Sequence, residues 1–347
     1  MNIDPDTTMR HTICLQAEVT ISAGVLVKGV GLVTAETNTQ NSLFQLGVSI
    51  YRKTFKRVRF VHRGMHWLAY HVLFPAMEQA RGFQTMPDDP FWFRYELLSG
   101  KHEPETTAQL KNLLQPNMTF LDIGAHVGYY SRMASDIVGK GGHVVAFEPN
   151  PHNHAMLTKN VGGRDNVMLM QVALAEEEGT AELHDYLMMS ASGSLHYDEK
   201  LRDVQLAGTE QNVDFAPRLD GGFTPQTYTV RTAPVDALLA EQGISQVDVV
   251  KMDIEGAEMG ALRGMRETIA RSPNISLVME FNPMGLEAFG NVPEDALQEV
   301  LAMGFTSLYA IEADGSLTDY THQTDELRQL TQQLKQNMSV INLLLTC

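Results

Sequence analysis

Four short stretches carry the residues best suited to chemistry. In Leu121-Asp122-Ile123-Gly124-Ala125-His126-Val127-Gly128, a carboxylate precedes a turn with two glycines. Gly124 lets the backbone turn tightly, and Gly128 removes a side chain where a ligand must approach. Glu148-Pro149-Asn150 follows, with Glu148 26 positions after Asp122. A carboxylate there can accept both hydroxyl hydrogens of a ribose, at ~1.5–3 kcal/mol for each hydrogen bond to a charged group. Lys251-Met252-Asp253-Ile254-Glu255-Gly256-Ala257-Glu258 places three acids within six positions, and Glu280-Phe281-Asn282 ends an apolar run. Acids so placed can orient a substrate hydroxyl or take its proton.

These groups need elements to hold them. From residue 104 the chain alternates helical and extended patterns: a helix over 104–114, a strand over 118–123, a helix over 129–138, strands over 143–147 and 167–173 with a helix over 152–161 between them. After a break come a strand over 247–252, a helix over 257–270, a strand over 275–281, a helix over 294–303, and closing strands over 305–311 and 340–345. Strands apolar on both faces and separated by helices predict an α/β fold, with a seven-stranded, mostly parallel sheet covered on both sides. Such sheets bind ligands at the carboxyl ends of their strands, where Asp122, Glu148, Asp253 and Glu280 all fall. Residues 176–230 are polar and glycine-bearing and read as an insertion near the site, with 188–195 a loop within it.

The spacing Asp-x-Gly-x-x-x-Gly differs from the G-x-G-x-x-G fingerprint that sets helix N–H groups against a pyrophosphate. An acid ahead of the turn suits a cationic or hydroxylated ligand better. S-adenosylmethionine offers an ammonium, a sulfonium and a ribose.

Composition narrows the classes. Hydrophobic residues make up 44% and charged residues 20%, and the formal net charge is −16. So acidic a chain repels phosphate backbones, which disfavours nucleic acid as a partner. Cys14 and Cys347 form neither a disulfide framework nor a zinc motif. The acidic start lacks the basic n-region of a secretory signal, and no apolar run reaches the ~18–20 residues of a membrane span. A cytoplasmic setting is expected.

Residues 1–90 read as an N-terminal extension to a domain over 91–347. Within the extension, 18–33 has the composition of a hairpin and 34–42 of a loop. Arg52, Lys53, Lys56, Arg57, Arg59 and Arg63 cluster without an acid, while Val58, Val61, Met65, Leu68 and Val72 recur at helical spacing. This predicts a basic amphipathic helix within 51–72. Its stripe either packs on the main domain, the commoner arrangement, or makes a peripheral contact with a membrane surface or an anionic substrate.

Phe120-Leu121-Asp122-Ile123-Gly124-Ala125-His126-Val127-Gly128-Tyr129-Tyr130, Val145-Ala146-Phe147-Glu148-Pro149-Asn150-Pro151 and Val249-Val250-Lys251-Met252-Asp253-Ile254-Glu255-Gly256-Ala257-Glu258 together resemble the FkbM-type methyltransferases. These are class I, S-adenosylmethionine-dependent enzymes that mostly methylate hydroxyls of sugars and other natural products. The resemblance extends to the lead-in Gly100-Lys101-His102-Glu103-Pro104 and the ending Asn342-Leu343-Leu344. It departs at His126, where the family usually carries asparagine.

The resemblance implies a Rossmann-like class I fold. It implies a cofactor site from Asp122, Gly124, Ala125, His126, Gly128, Glu148, Pro149 and Asn150, with Ala173 and Leu174 at the third-strand end and Asp253 facing the methyl. Asp253, Glu255 and Glu280 become candidates for the base or for orienting the acceptor, a hydroxylated small molecule. Asp253, Glu280 and Asn282 offer oxygen ligands for magnesium. Glu255 and Glu258 equally fit helix capping, and Lys251 fits pairing with an acid. A homo-oligomer is open. Two alternatives also stand: an NAD-type oxidoreductase, and a catalytically silent methyltransferase-fold interaction protein docking through the basic helix.

Overall fold

A computed structural model describes residues 59–185, 190, 191, 193–196 and 226–347. The hairpin and loop expected within 18–42, and the basic residues before Arg59, lie outside the described residues. The first described element is α1 (Arg59–Leu68), which runs through one π-helical turn, Ala69–Leu73, into α2 (Phe74–Arg81). Then come α3 (Phe91–Ser99) and α4 (Pro104–Leu113), followed by β1 (Thr119–Ile123), α5 (Tyr129–Val138), β2 (His143–Phe147), α6 (Pro151–Val161), β3 (Val167–Met170) and β4 (Ala173–Leu174). After β5 (Gly179–Asp185), β6 (Gly193–Ser194), β7 (Gln226–Ala233) and α7 (Val235–Glu241) come β8 (Val249–Met252), α8 (Glu258–Arg263), α9 (Arg266–Arg271) and β9 (Ser276–Phe281). The chain closes with α10 (Pro283–Ala288), α11 (Pro293–Ala302), β10 (Ser307–Ile311), β11 (Leu317–Asp319), α12 (Thr324–Asn337) and β12 (Ile341–Thr346).

The main sheet runs β11-β10-β12-β9-β8-β1-β2-β3. The strands from β9 to β3 pair in parallel, while β12 runs antiparallel between β9 and β10. Alternate residues of each strand enter opposite cores. Leu121, Ile123, Val250 and Leu277 join the larger cluster with α7, α8, α9 and α11. Phe120, Val144, Val249 and Val278 join the other, against Leu110 of α4 and Tyr130, Ala134 and Val138 of α5.

The structure corrects several expectations. The sheet has eight strands rather than seven, because a short turn at Gly315 folds β11 back onto β10. The third strand is divided: β3 pairs with β2, whereas Ala173 and Leu174 pair with β7 in a second sheet, β4-β7-β5-β6. Thus the 176–230 insertion carries two long strands, β5 and β7, antiparallel over their lengths. The helix over 257–270 breaks at Gly264, where a Cβ would lie 2.3 Å from the Ala175 carbonyl oxygen.

The N-terminal helices form their own cluster, in which Phe74, Phe83, Phe93 and Leu97 meet Val127 and Met156 of the main body. Packing therefore crosses residue 90 without a break. Tyr70, Phe74 and Met77 make this contact; of the expected stripe, Met65, Leu68 and Val72 are exposed, and the side chains of Val58 and Val61 lie outside the described residues. No helix among the described residues is long and apolar enough to cross a membrane.

Candidate active site

The period of two carries the site. Asp122 shares the sheet face of Phe120, Lys251 that of Val249, and Glu280 that of Val278. At the carboxyl ends of β1, β8 and β9, then, the smaller apolar core gives way to charged residues. Lys251 lies on the register of Asp122, with its Nζ 3.1 Å from Asp253 Oδ2 and 5.1 Å from the centre of the Tyr130 ring. Burial alone would pull its pKa down; the carboxylates of Asp253, Asp122 and Glu103 outweigh burial and hold the lysine charged. The Tyr130 hydroxyl donates to Glu103 Oε2 at 2.8 Å. Lys251 thus finds the acid partner that a mid-strand lysine requires.

Beside this patch opens a cavity of about 410 Å³, within the ~300–1,000 Å³ usual for small-molecule sites. Gly124, Ala125, His126 and Glu148 line it, as do Pro149, Asn150, Ala173 and Leu174 and, across from them, Asp253, Glu255 and Glu280. Gly124 adopts φ +82, and a Cβ there would lie 2.0 Å from the Asp253 carbonyl oxygen, so only glycine lets the ends of β1 and β8 meet. Glu148 Oε2 accepts from the His126 amide at 2.8 Å and Oε1 from the Asn150 amide at 2.9 Å, fixing the carboxylate at the end of β2. Asn150 caps α6 through its side chain.

Two expected ligand-binding residues lie off the cavity wall. Asp122 is fully buried; it accepts from Ser131 Oγ at 2.5 Å and faces α5, because its register points it under the loop. Burial pushes its pKa up against the pull of Lys251. Gly128 faces α6, since a Cβ there would lie 2.8 Å from Leu157 Cδ1. Its φ of +93 serves helix packing rather than ligand approach.

The expected magnesium set is not assembled. Asn282 Oδ1 caps α10 by accepting from the Gly285 amide at 3.0 Å, and Asn282 does not line the cavity. No group of three or more metal-ligating acids, histidines or cysteines occurs among the described residues. Glu258 is fully buried and its Oε1 accepts from the Ile254 and Gly256 amides, each at 3.2 Å, which closes the loop ahead of α8. Glu255, at φ +55, instead turns to the cavity. Burial, reinforced by Asp253, holds the carboxyls of Glu255 and Glu280 well above the usual range, and Glu280 Oε2 has no hydrogen-bond partner. Burial thus favours the protonated form of both.

His126 sits in an arrangement its sequence context did not reveal. Its Nε2 lies 2.5 Å from Ser190 Oγ, Ser190 donates through its amide and hydroxyl to buried Asp89, and Asn153 Nδ2 donates to the Ser190 carbonyl. Burial pushes the imidazole pKa down to about 3, so the ring is neutral. Because Ser190 gives its hydrogen to Asp89, the tautomer that completes this chain carries its proton on Nε2. Asp89 and Ser190 are 101 positions apart, and no local spacing connects them.

The buried acids set a pH dependence. Burial raises Glu148 and Glu258 from 4.5 to about 7. The folded state therefore holds these protons more tightly than the unfolded chain. Their stabilising contribution is full below about pH 4.5 and is lost as pH rises through 7. The expected outcome is a thermal midpoint for the cofactor-free protein that falls between pH 5 and 7.5, with a shallower fall in Glu148→Gln. A midpoint rising over that interval contradicts the assignment.

A parallel sheet with β12 antiparallel between β9 and β10, a glycine turn after β1 and an acid ending β2 define the class I methyltransferase fold. Within that class, residues 122–307, more than half of the chain, match the Methyltransferase FkbM domain, and the chain belongs to that family. It is 27% identical over 172 residues to the 2-O-methyltransferase NoeI of Sinorhizobium fredii, covering 47% of this chain and 64% of NoeI. It is 31% identical over 168 residues to the 31-O-demethyl-FK506 methyltransferase FkbM of Streptomyces tacrolimicus, covering 44% of this chain and 62% of that enzyme. The chain thus matches less than two thirds of the length of either relative. A methyltransferase FkbM structure from Methylobacillus flagellatus KT aligns over 78% of this chain and 57% of its own, with 12% identity and a TM-score of 0.36.

Proposed function

We propose that this chain transfers a methyl group from S-adenosylmethionine to a hydroxyl of a small-molecule acceptor, a sugar or glycosylated metabolite. One observation carries the reading: Glu148, with both oxygens anchored by loop amides, and Asp253, paired with Lys251, line one cavity across the Gly124 turn. The donor set fits the cofactor. Glu148 is placed to accept from a ribose, Gly124 leaves the turn bare, and Asp253 on the opposite wall offers a carboxylate to a positively charged ligand. The printed names of NoeI and FkbM, both O-methyltransferases, support oxygen as the acceptor atom. Family membership disfavours the oxidoreductase and silent-protein readings.

When bound, S-adenosylmethionine supplies an electrophilic methyl on a positively charged sulfur. The protein's part is orientation, which contributes ~7–11 kcal/mol in model reactions, and removal of the hydroxyl proton. Asp253 is assigned as the group that takes the proton. Lys251, with its Nζ 3.1 Å from Oδ2, fixes the direction of the Asp253 carboxylate, while Glu280 and Glu255, whose protonated forms are favoured by burial, line the same cavity as hydrogen-bonding groups for acceptor oxygens. Neither acid requires a metal for these roles.

Calorimetric titration with S-adenosylmethionine tests the reading. Native protein is expected to bind, and Glu148→Ala to bind at least ~10-fold more weakly, since two charge-assisted hydrogen bonds are lost. Absence of binding by the native protein defeats the cofactor assignment. Native-like affinity in Glu148→Ala defeats the role given to Glu148.

A further inference from the structure

Basic residues in the sequence and exposed apolar side chains follow one another along one stretch of this chain. No Asp or Glu occurs from residue 37 to residue 77, and six Lys and Arg fall between Arg52 and Arg63. The rest of the chain holds 20 Lys and Arg against all 42 Asp and Glu. The same segment leads into the continuous helix of α1, the π-helical turn and α2. Met65, Trp67, Leu68, Val72 and Leu73 on that helix are each more than 40% exposed. They are five of the eight exposed large hydrophobic side chains among the described residues.

The helix is nevertheless held firmly. Phe74 is fully buried, the Arg94 guanidinium lies 4.4 Å over its ring, and the Tyr70 hydroxyl donates to the Asp89 carbonyl at 2.9 Å. One side is anchored to the body while the other offers tryptophan and aliphatic groups to solvent.

We propose that this face docks on an anionic lipid bilayer. A helix with Lys and Arg nearby and Trp, Leu and Val on an exposed face lies in the headgroup plane, held by apolar burial and by attraction to anionic lipid. The charge complementarity selects the membrane over a second copy of the chain. A twofold contact through this face would bring together two copies of a stretch whose sequence carries six Lys and Arg and no acid. A head-to-tail contact would need an apolar partner patch, yet Val292, Leu317 and Met338, the other exposed large hydrophobics, stand at the start of α11, on β11 and after α12. None of Met65, Trp67, Leu68, Val72 and Leu73 lines the cavity that holds Glu148 and Asp253, so the inference goes beyond methyl transfer.

Co-sedimentation of the full chain with vesicles tests it. The chain is expected to pellet with phosphatidylcholine vesicles containing phosphatidylglycerol about tenfold more than with phosphatidylcholine alone, and high salt is expected to weaken the preference. Trp67→Glu/Leu68→Glu is expected to lose most binding with an unchanged melting midpoint, because both side chains are already exposed. Arg59→Gln/Arg63→Gln is expected to reduce the salt dependence, and it serves as the second arm if the first variant folds poorly. Equal pelleting with neutral and anionic vesicles, pelleting with neither, or native binding by both variants overturns the proposal. Concentration-dependent dimerisation abolished by Trp67→Glu overturns it in favour of a second copy.

Discussion

Asp253→Asn is expected to lower turnover by ~10²–10⁴-fold, the usual contribution of a positioned base, while S-adenosylmethionine affinity changes far less. Asparagine keeps the shape and loses the charge. Glu255 and Glu280 line the same cavity, but burial favours their protonated forms and so makes both poorer proton acceptors. Glu258 is committed to the Ile254 and Gly256 amides. His126 is neutral and engaged with Ser190. The check is a single-turnover rate with labelled methyl donor beside a calorimetric Kd on the same variant. A large loss of affinity with an unchanged rate reassigns Asp253 to cofactor binding alone. Glu280→Gln, which keeps a hydrogen-bonding group of the same shape where burial already disfavours the charge, is expected to cost much less.

Lys251→Met is expected to be the most destabilising single change at the site, by ~3–5 kcal/mol, because deleting one partner of a buried pair strands the other. Here several acids depend on one cation. Asp122 is fully buried at the Lys251 register, Asp253 is paired at 3.1 Å, and Glu103 adds its field. For a domain of this size the thermal midpoint should fall by roughly 10 °C. Lysine's own contribution is present below its unfolded pKa of 10.5 and disappears only above its raised folded value. The native pair is therefore intact across neutral pH. In the variant, Asp122 loses the cation that favoured its ionisation, so the deficit should shrink on acidification as Asp122 protonates. Adding Asp122→Asn should recover part of the loss in a double-mutant cycle. Additive losses would show that Asp122 and Lys251 act independently.

Much of the frame was legible because it is written locally. The predicted helix over 129–138 and strand over 143–147 coincide with α5 and β2, since both are bounded by glycine and carry an unbroken period. Among the elements left unassigned, α12 is a regular amphipathic helix that the sequence reading misses, whereas others have a weak local pattern. β5 and β7 are exposed along much of their length and look polar, and β11 has only three residues. α3, Phe91–Ser99, opens on a run of aromatics that favours extended chain, and becomes helical because Phe93, Leu97 and Leu98 bury against Phe74 and Val127.

The residue order of Asp122 through Gly128, Glu148 and Lys251 through Glu258 by itself determined that a glycine turn and several carboxylates gather at parallel strand ends. Spacing along a strand says which residues end it. It does not say which side of the wall each side chain occupies, and there the tertiary structure decided. Packing of α5 on the sheet encloses Asp122 against Ser131, and α6 claims the space beside Gly128 through Leu157. The cap of α10 takes Asn282 away from the cavity. The same packing buries Glu280 and raises the pKa of both Glu255 and Glu280, against the charge their residue type ordinarily carries. Asp89, Ser190 and His126 meet only because three distant segments fold over one another, since hydrogen bonds between side chains depend on position in space and leave no period in the chain.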